Sequence, residues 1–175
     1  METAAFALAL MGWSRLDRPT WCIGALTVAC LLRPEGHAHY LAAAGALLLQ
    51  DRSAVVKPLL VTGGLLALYH ATRIGWFGEW LPTTVLVKAI DNPPLSGGLK
   101  QALLDVLPWL GPAGLLMLTR RLSWRDAGWA MLPAGIQLLV LIKAGGDWMG
   151  HGRLVWPGMV ACLLYTSPSP RDRYG

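Results

Sequence analysis

Residues 143–153 hold the side chains of this chain that are best suited to chemistry. The segment reads KAGGDWMGHGR, so Asp147, His151 and the cations Lys143 and Arg153 lie together between two apolar stretches. An ionisable side chain at the mouth of an apolar helix needs a partner or a ligand, and the glycines let the backbone turn tightly or approach a ligand. The segment is interpreted as a substrate-facing loop, with a plain polar connector as the alternative.

The composition places these residues in a membrane protein. Of the 175 residues, 54% are hydrophobic and only 14% are charged, which is too little polar surface to cover a compact globule. We predict an all-α, polytopic transmembrane helix bundle. The net charge is +5, but the cations form short clusters between apolar runs, as in membrane topology, so nucleic acid is not a predicted partner. The three cysteines lack metal-ligand spacing, so no metal site is predicted.

Charged clusters alternate along the chain and give a topology. Lys57 and Arg120 fall on the cytoplasmic side, while Glu79 and Asp147 fall outside. Several cations then lie near the outer side, where they should be sparse, so an anion should offset them. A lipid-linked phosphate fits, because arginine can hold it with two parallel hydrogen bonds; binding of anionic lipid without chemistry is the alternative. These cations are Arg73, Lys88, Lys100, Lys143 and Arg153.

Two short apolar runs, residues 20–32 and 37–50, flank the sequence RPEG at residues 33–36. Each run rises about 20 Å as a helix, less than a bilayer core of about 30 Å. Either the two runs form short helices joined by a turn at membrane depth, or they form one long kinked helix with an internal Arg33–Glu35 salt bridge. Both alternatives assign Arg33 and Glu35 a structural role. Further spans are predicted at residues 57–71, where Pro58 suits a first turn, at 101–118 and at 127–142.

Four blocks, in order, resemble one family. They are METAAF at residues 1–6, LLRPEG at 31–36, RIGWFGEWLPTT at 73–84 with Lys88, and GGDWM at 145–149 with Arg153 and Pro157. The chain resembles the polyprenyl-phosphate-sugar-dependent GT-C glycosyltransferases, which include protein O-mannosyltransferases and arabinofuranosyltransferase-type enzymes. Leu32, Glu79 and Thr83 depart from that pattern, where the family has threonine, aspartate and asparagine.

The resemblance implies a GT-C-like bundle in a bacterial inner membrane. Such an enzyme transfers a sugar from a polyprenyl-phosphate donor to a glycan, lipid or protein acceptor on the extracytoplasmic face. The family's catalytic base is an acidic residue of the first outer loop, and Met1 already matches a later block. The chain is therefore expected to be truncated at both ends and to lack that base. No cofactor is predicted, and a divalent metal, known in related enzymes, is not arguable from these residues.

Six residues are the candidate ligands of the donor under this resemblance. Cations would hold the phosphate, while acids would orient the cations or bind sugar hydroxyls. The histidine would assist, or would be an ordinary solvated histidine at the interface. The cations are Arg153, Lys88 and Arg73, the acids are Asp147 and Glu79, and the histidine is His151.

Two other interpretations of the function stay open. A transporter of polyprenyl lipid or solute would also place charges and broken helices at depth, although no internal repeat is visible. A structural subunit that only binds membrane lipid is the third interpretation.

Residues 162–175 resemble a translated frame of a transposon-type sequencing adaptor, so the partial transmembrane domain is assigned to residues 1–161.

Overall fold

The fold was analysed in a computed structural model, which describes residues 2–80, 94–105, 107, 124–145 and 157–160. Within these ranges all regular structure is helical and there is no strand, so the all-α prediction is confirmed for them. Residues 157–160 form a further helical turn. The helices are α1 (Glu2–Leu10), a 3-10 helix (Met11–Arg15), α2 (Pro19–Leu32), α3 (Gly36–Gln50), α4 (Arg52–Phe77), α5 (95–105) and α6 (Trp124–Lys143).

The chain reverses between α2 and α3. Arg33 has extended backbone angles, φ −147° and ψ 142°, because the ring of Pro34 disfavours the helical conformation in the residue before it. Helix α3 then begins at Gly36 and packs back against α2 so closely that a Cβ at Gly36 would overlap the Ala29 backbone. Two antiparallel short helices therefore form, and the alternative of one long kinked helix is wrong.

The core lies where α1, the 3-10 helix, α2 and α3 pack together. The 3-10 helix approaches α2 closely at Gly12, where an added Cβ would come within 2.9 Å of Ala25 Cβ. Large apolar side chains from all four helices fill the space between them and are shielded from solvent. Among the fully buried ones are Phe6, Leu10, Trp13, Ile23, Leu26 and Leu47.

Helix α4 is longer than the sequence predicted. It begins at Arg52 and not at Pro58, because Asp51 caps it by accepting hydrogen bonds from the N–H groups of Ser53 and Ala54. Pro58 lies inside the helix, which ends at Phe77, where Gly78 adopts φ 70° in the left-handed region. With 26 residues, and a mean hydropathy of 1.4 over its most apolar 18-residue window, α4 is the single described helix long and apolar enough to cross a membrane.

Helix α6 docks on the core through a buried polar contact. The amide of Gln137 lies 2.8 Å from His39 Nε2 of α3, and both side chains are completely shielded from solvent. His39 also accepts a hydrogen bond from the indole N–H of Trp13. Three elements distant in sequence thus meet at one imidazole.

Candidate functional site

A cluster of charged and imidazole side chains lies where the α2–α3 turn meets the C-terminal part of α4. The turn provides an ion pair between Arg33 Nη2 and Glu35 Oε1 at 3.1 Å, with the two side chains only 12% and 11% exposed. The guanidinium also lies over the Phe6 ring, 5.3 Å from its centroid. Its Nη1 atom is buried and has no hydrogen-bond partner among the described residues, so this arginine keeps a free donor.

Two histidines connect the turn to α4. His37 Nδ1 lies 3.0 Å from the carbonyl oxygen of Pro34, and His37 Nε2 lies 2.9 Å from His70 Nε2. A carbonyl oxygen only accepts, so Nδ1 of His37 carries the proton and its Nε2 accepts from Nε2–H of His70. In the neutral pair, His70 Nδ1 is then left with a lone pair. This atom is buried and has no partner in the part of the chain that the structure describes.

The C-terminal end of α4 and the turn after it add a second arginine and two aromatic rings to the cluster. Arg73 lies over the Phe77 ring, 5.7 Å from its centroid, and its Nε is buried without a hydrogen-bond partner among the described residues. The left-handed turn at Gly78 lets the chain fold back, so that the Trp80 indole stacks on His70 with centroids 5.5 Å apart. His70 and Arg73 are three residues apart and therefore share one face of α4.

The structure describes four of the eight residues named from the sequence. Arg33 and Glu35 form an ion pair in the turn between α2 and α3, although the sequence predicted this pair only for the alternative of one kinked helix, and Arg73 lies in the polar cluster. Glu79 is exposed and forms no ion pair with the described cations. The other four lie outside the described residues: Lys88, Asp147, His151 and Arg153.

Sequence reasoning missed His37, His70 and Trp80. The two histidines are 33 residues apart, with His37 two residues from His39 and His70 three residues from Arg73, so no local spacing links His37 to His70. Their one visible signal is that both are ionisable residues in otherwise apolar stretches, which marks a functional site in a membrane segment. Only the turn at Gly78 brings Trp80 onto His70.

The opposite end of the bundle holds a cleft of about 270 Å³, lined by Asp17 and Asp51 among mostly apolar residues. Asp51 is already engaged as the cap of α4. Hydrogen bonds from the Ser53 hydroxyl and from the N–H of Ala54 hold the pKa of Asp51 below its usual range. In the described part of the chain, no group of three metal-ligating side chains occurs, at this end or the other.

The arrangement suits an anion. Buried N–H groups without partners are costly, and the described cluster contains two such donors, on Arg33 and Arg73, beside a histidine that can gain a proton. Phosphate oxygens accept hydrogen bonds and carry the opposite charge, so they satisfy arginine donors well.

Comparison with protein-family models, with curated protein sequences and with solved structures found no match to this chain.

Proposed function

We propose that this chain belongs to a multi-pass glycosyltransferase of the bacterial inner membrane. The enzyme transfers a sugar from a polyprenyl-phosphate donor to a glycan, lipid or protein acceptor on the extracytoplasmic face. The observation that carries the proposal is Arg73. It was named from the sequence as a phosphate ligand, and it presents a buried Nε donor without a partner among the described residues, beside a pair of histidines.

A membrane setting is supported by the exposed surface of α4. Only 11% of its most apolar 18-residue window is buried inside the bundle, so a soluble protein would expose this face to water at high cost. Leu60 is 73% exposed and Val61 is 67% exposed. In a bilayer, these side chains would contact acyl chains, and the short α2–α3 pair would enclose its polar turn in protein.

The chemistry requires charge stabilisation on the donor side. As the bond between the anomeric carbon and the phosphate oxygen breaks, the leaving polyprenyl phosphate gains negative charge, which arginine donors stabilise. Arg73 would serve here together with Lys88 and Arg153, while Asp147, Glu79 and His151 would orient these cations or bind sugar hydroxyls. Arg33 and Glu35 would hold the turn that places His37 against α4.

The proposal is tested with membranes from cells that produce the protein from its complete gene. Radiolabelled polyprenyl-phosphate sugars are supplied, and transfer is compared between wild type, Arg73→Ala, Arg153→Ala and the control Arg18→Ala, an exposed cation at the opposite end of the bundle. We expect at least a tenfold loss in the first two variants at equal protein level, and no change in the control. Unchanged transfer in both would refute the assignment, and movement of the label across vesicles without transfer would favour a transporter.

A further inference from the structure

His70 and Arg73 present two unpartnered polar atoms on the same face of α4. His70 Nδ1 and Arg73 Nε are both buried, and neither has a hydrogen-bond partner in the described residues. Residues three apart on a helix are neighbours, so one small ligand can reach both. Because a buried polar atom without a partner is costly, the two atoms together indicate a ligand that bonds to both.

The chemistry of the two atoms restricts the ligand. Arg73 Nε can only donate, so the ligand has an acceptor atom, and the guanidinium favours an anion. His70 Nδ1 has a lone pair in the neutral state, because the imidazole proton is on Nε2 and is donated to His37. It can donate to the same anion only after it gains a proton. Anion binding and protonation of His70 are therefore coupled.

The surroundings of His70 allow one added proton and no more. Protonated His70 can still donate from Nε2 to His37, which remains neutral and bonded to the Pro34 carbonyl. The protonated ring also stacks on the Trp80 indole. Protonating both histidines would place two donors face to face and break their contact.

The neighbouring charges make the proton depend on the anion. On α4, Arg73 repels a cationic His70, while Tyr69, whose ring lies edge-on at 5.2 Å, adds no charge. On the turn, Arg33 and Glu35 neutralise each other in their ion pair. Burial of the imidazole opposes its protonation, and the net charge of its described neighbours, one positive charge from Arg73, opposes it further until an anion offsets that charge.

We propose that His70, oriented by His37, is a phosphate ligand beside Arg73, and that the site takes up one proton from solvent when it binds a phosphate group. The ligand class is a phosphate monoester, such as the headgroup of a polyprenyl phosphate. No covalent bond changes: the proton moves from water to His70 Nδ1, which then donates to a phosphate oxygen. The lipid identity of the ligand rests on the proposed function, whereas the phosphate site and its proton uptake do not.

The test is calorimetry on the purified full chain in detergent micelles, with geranyl phosphate, inorganic phosphate and geraniol as probes. Titrations in two buffers of different ionisation enthalpy measure the protons taken up, and a pH series measures affinity. We expect geranyl phosphate to bind with uptake of about one proton. His70→Gln and Arg73→Gln should each weaken binding about ten- to a hundredfold, and His70→Gln should also abolish the proton uptake. Thr72→Val, an exposed neighbour on α4, is the matched control and should leave both quantities unchanged.

A second measurement on the wild type does not depend on how the variants fold. With ¹⁵N-labelled histidine, the Nδ1 resonance of His70 should change from the unprotonated to the protonated range when geranyl phosphate is added. An Nδ1 that stays unprotonated in the bound state, or binding without proton uptake, would overturn the inference. If inorganic phosphate binds as tightly as geranyl phosphate, the site is supported but is assigned to free phosphate. If geraniol, which carries no phosphate, binds as tightly as geranyl phosphate, the inference is overturned. Phosphate binding in a protein that transfers no sugar would refute the proposed enzyme and leave this inference standing.

Discussion

The indole Nε1–H of Trp13 donates a hydrogen bond to Nδ1 of His39 over 3.2 Å, inside a core where both side chains are completely buried. Because an indole N–H can only donate, Nδ1 of His39 accepts and Nε2 carries the proton. The Gln137 atom that lies 2.8 Å from His39 Nε2 is the amide nitrogen, which can only donate, and Oε1 has no partner in the described residues. Turning the amide by 180° places Oε1 where it accepts a hydrogen bond from Nε2–H of His39. One tautomer of His39 thus joins the 3-10 helix, α3 and α6.

Removing the Trp13 donor should weaken this core. Trp13→Phe keeps an aromatic ring but leaves His39 Nδ1 buried without a hydrogen bond, so we expect the free energy of unfolding to fall by about 1–3 kcal/mol, with further loss from the smaller ring. Trp21→Phe is the control, since Trp21 is 59% exposed, and it should change stability by less than about 0.5 kcal/mol. Denaturant unfolding in detergent, followed by circular dichroism, measures both. Equal effects of the two variants would contradict the assigned bond.

The Arg33–Glu35 ion pair should show strong non-additivity. Arg33→Met leaves the Glu35 carboxylate with 11% exposure and no countercharge, which we expect to cost about 3–5 kcal/mol of unfolding free energy. The double variant Arg33→Met with Glu35→Leu removes both charges and should be much closer to wild type. A double-mutant cycle of unfolding free energies checks this. Additive losses would show that the two side chains do not interact.

The close approach of α2 and α3 makes Gly36 sensitive to a single methyl group. In Gly36→Ala, the added Cβ would overlap the Ala29 backbone, so we expect the hairpin to open slightly and unfolding free energy to fall by about 1–3 kcal/mol or more. Gly45→Ala, in the same helix, adds a Cβ that meets nothing within 4 Å and should be neutral or stabilising by up to about 1 kcal/mol. Thermal unfolding of the two variants and of wild type measures these changes. A Gly36→Ala protein as stable as wild type would argue against the close packing of α2 on α3.

The cap of α4 should depend on pH through Asp51. Its pKa is held below the usual range by bonds from the Ser53 hydroxyl and the Ala54 N–H, so its contribution is complete above the pKa of an unfolded aspartate and is lost as pH falls through the lower folded value. The amide resonances of Ser53 and Ala54 should therefore titrate together at acid pH. Asp51→Asn keeps a capping oxygen and should remove the titration while the helix start persists. Persistence of the titration in that variant would show that another group causes it.

The boundaries of α2 and α3 were close to what the sequence predicted, whereas the start of α4 was not. Pro34 acts on its immediate neighbour, so the break at Arg33 follows from local sterics. Pro58 was expected to open α4, but the cap at Asp51 starts the helix earlier, and α4 carries the proline inside. Arg73 was found as a candidate because it belongs to a local block of sequence. His70 was not, because its partner His37 lies on another helix.

The sequence alone determined the helical class, the apolar character of the chain, and the ionisable residues that stand out in apolar runs, because these depend on composition and near neighbours. Tertiary structure decided which of those residues meet. The fold places His37 against His70, Trp80 on His70 and Trp13 on His39, across separations that no periodicity encodes. Such contacts depend on where whole helices pack, and that packing is settled by the close fit at Gly12 and Gly36 together with the shape of the buried core.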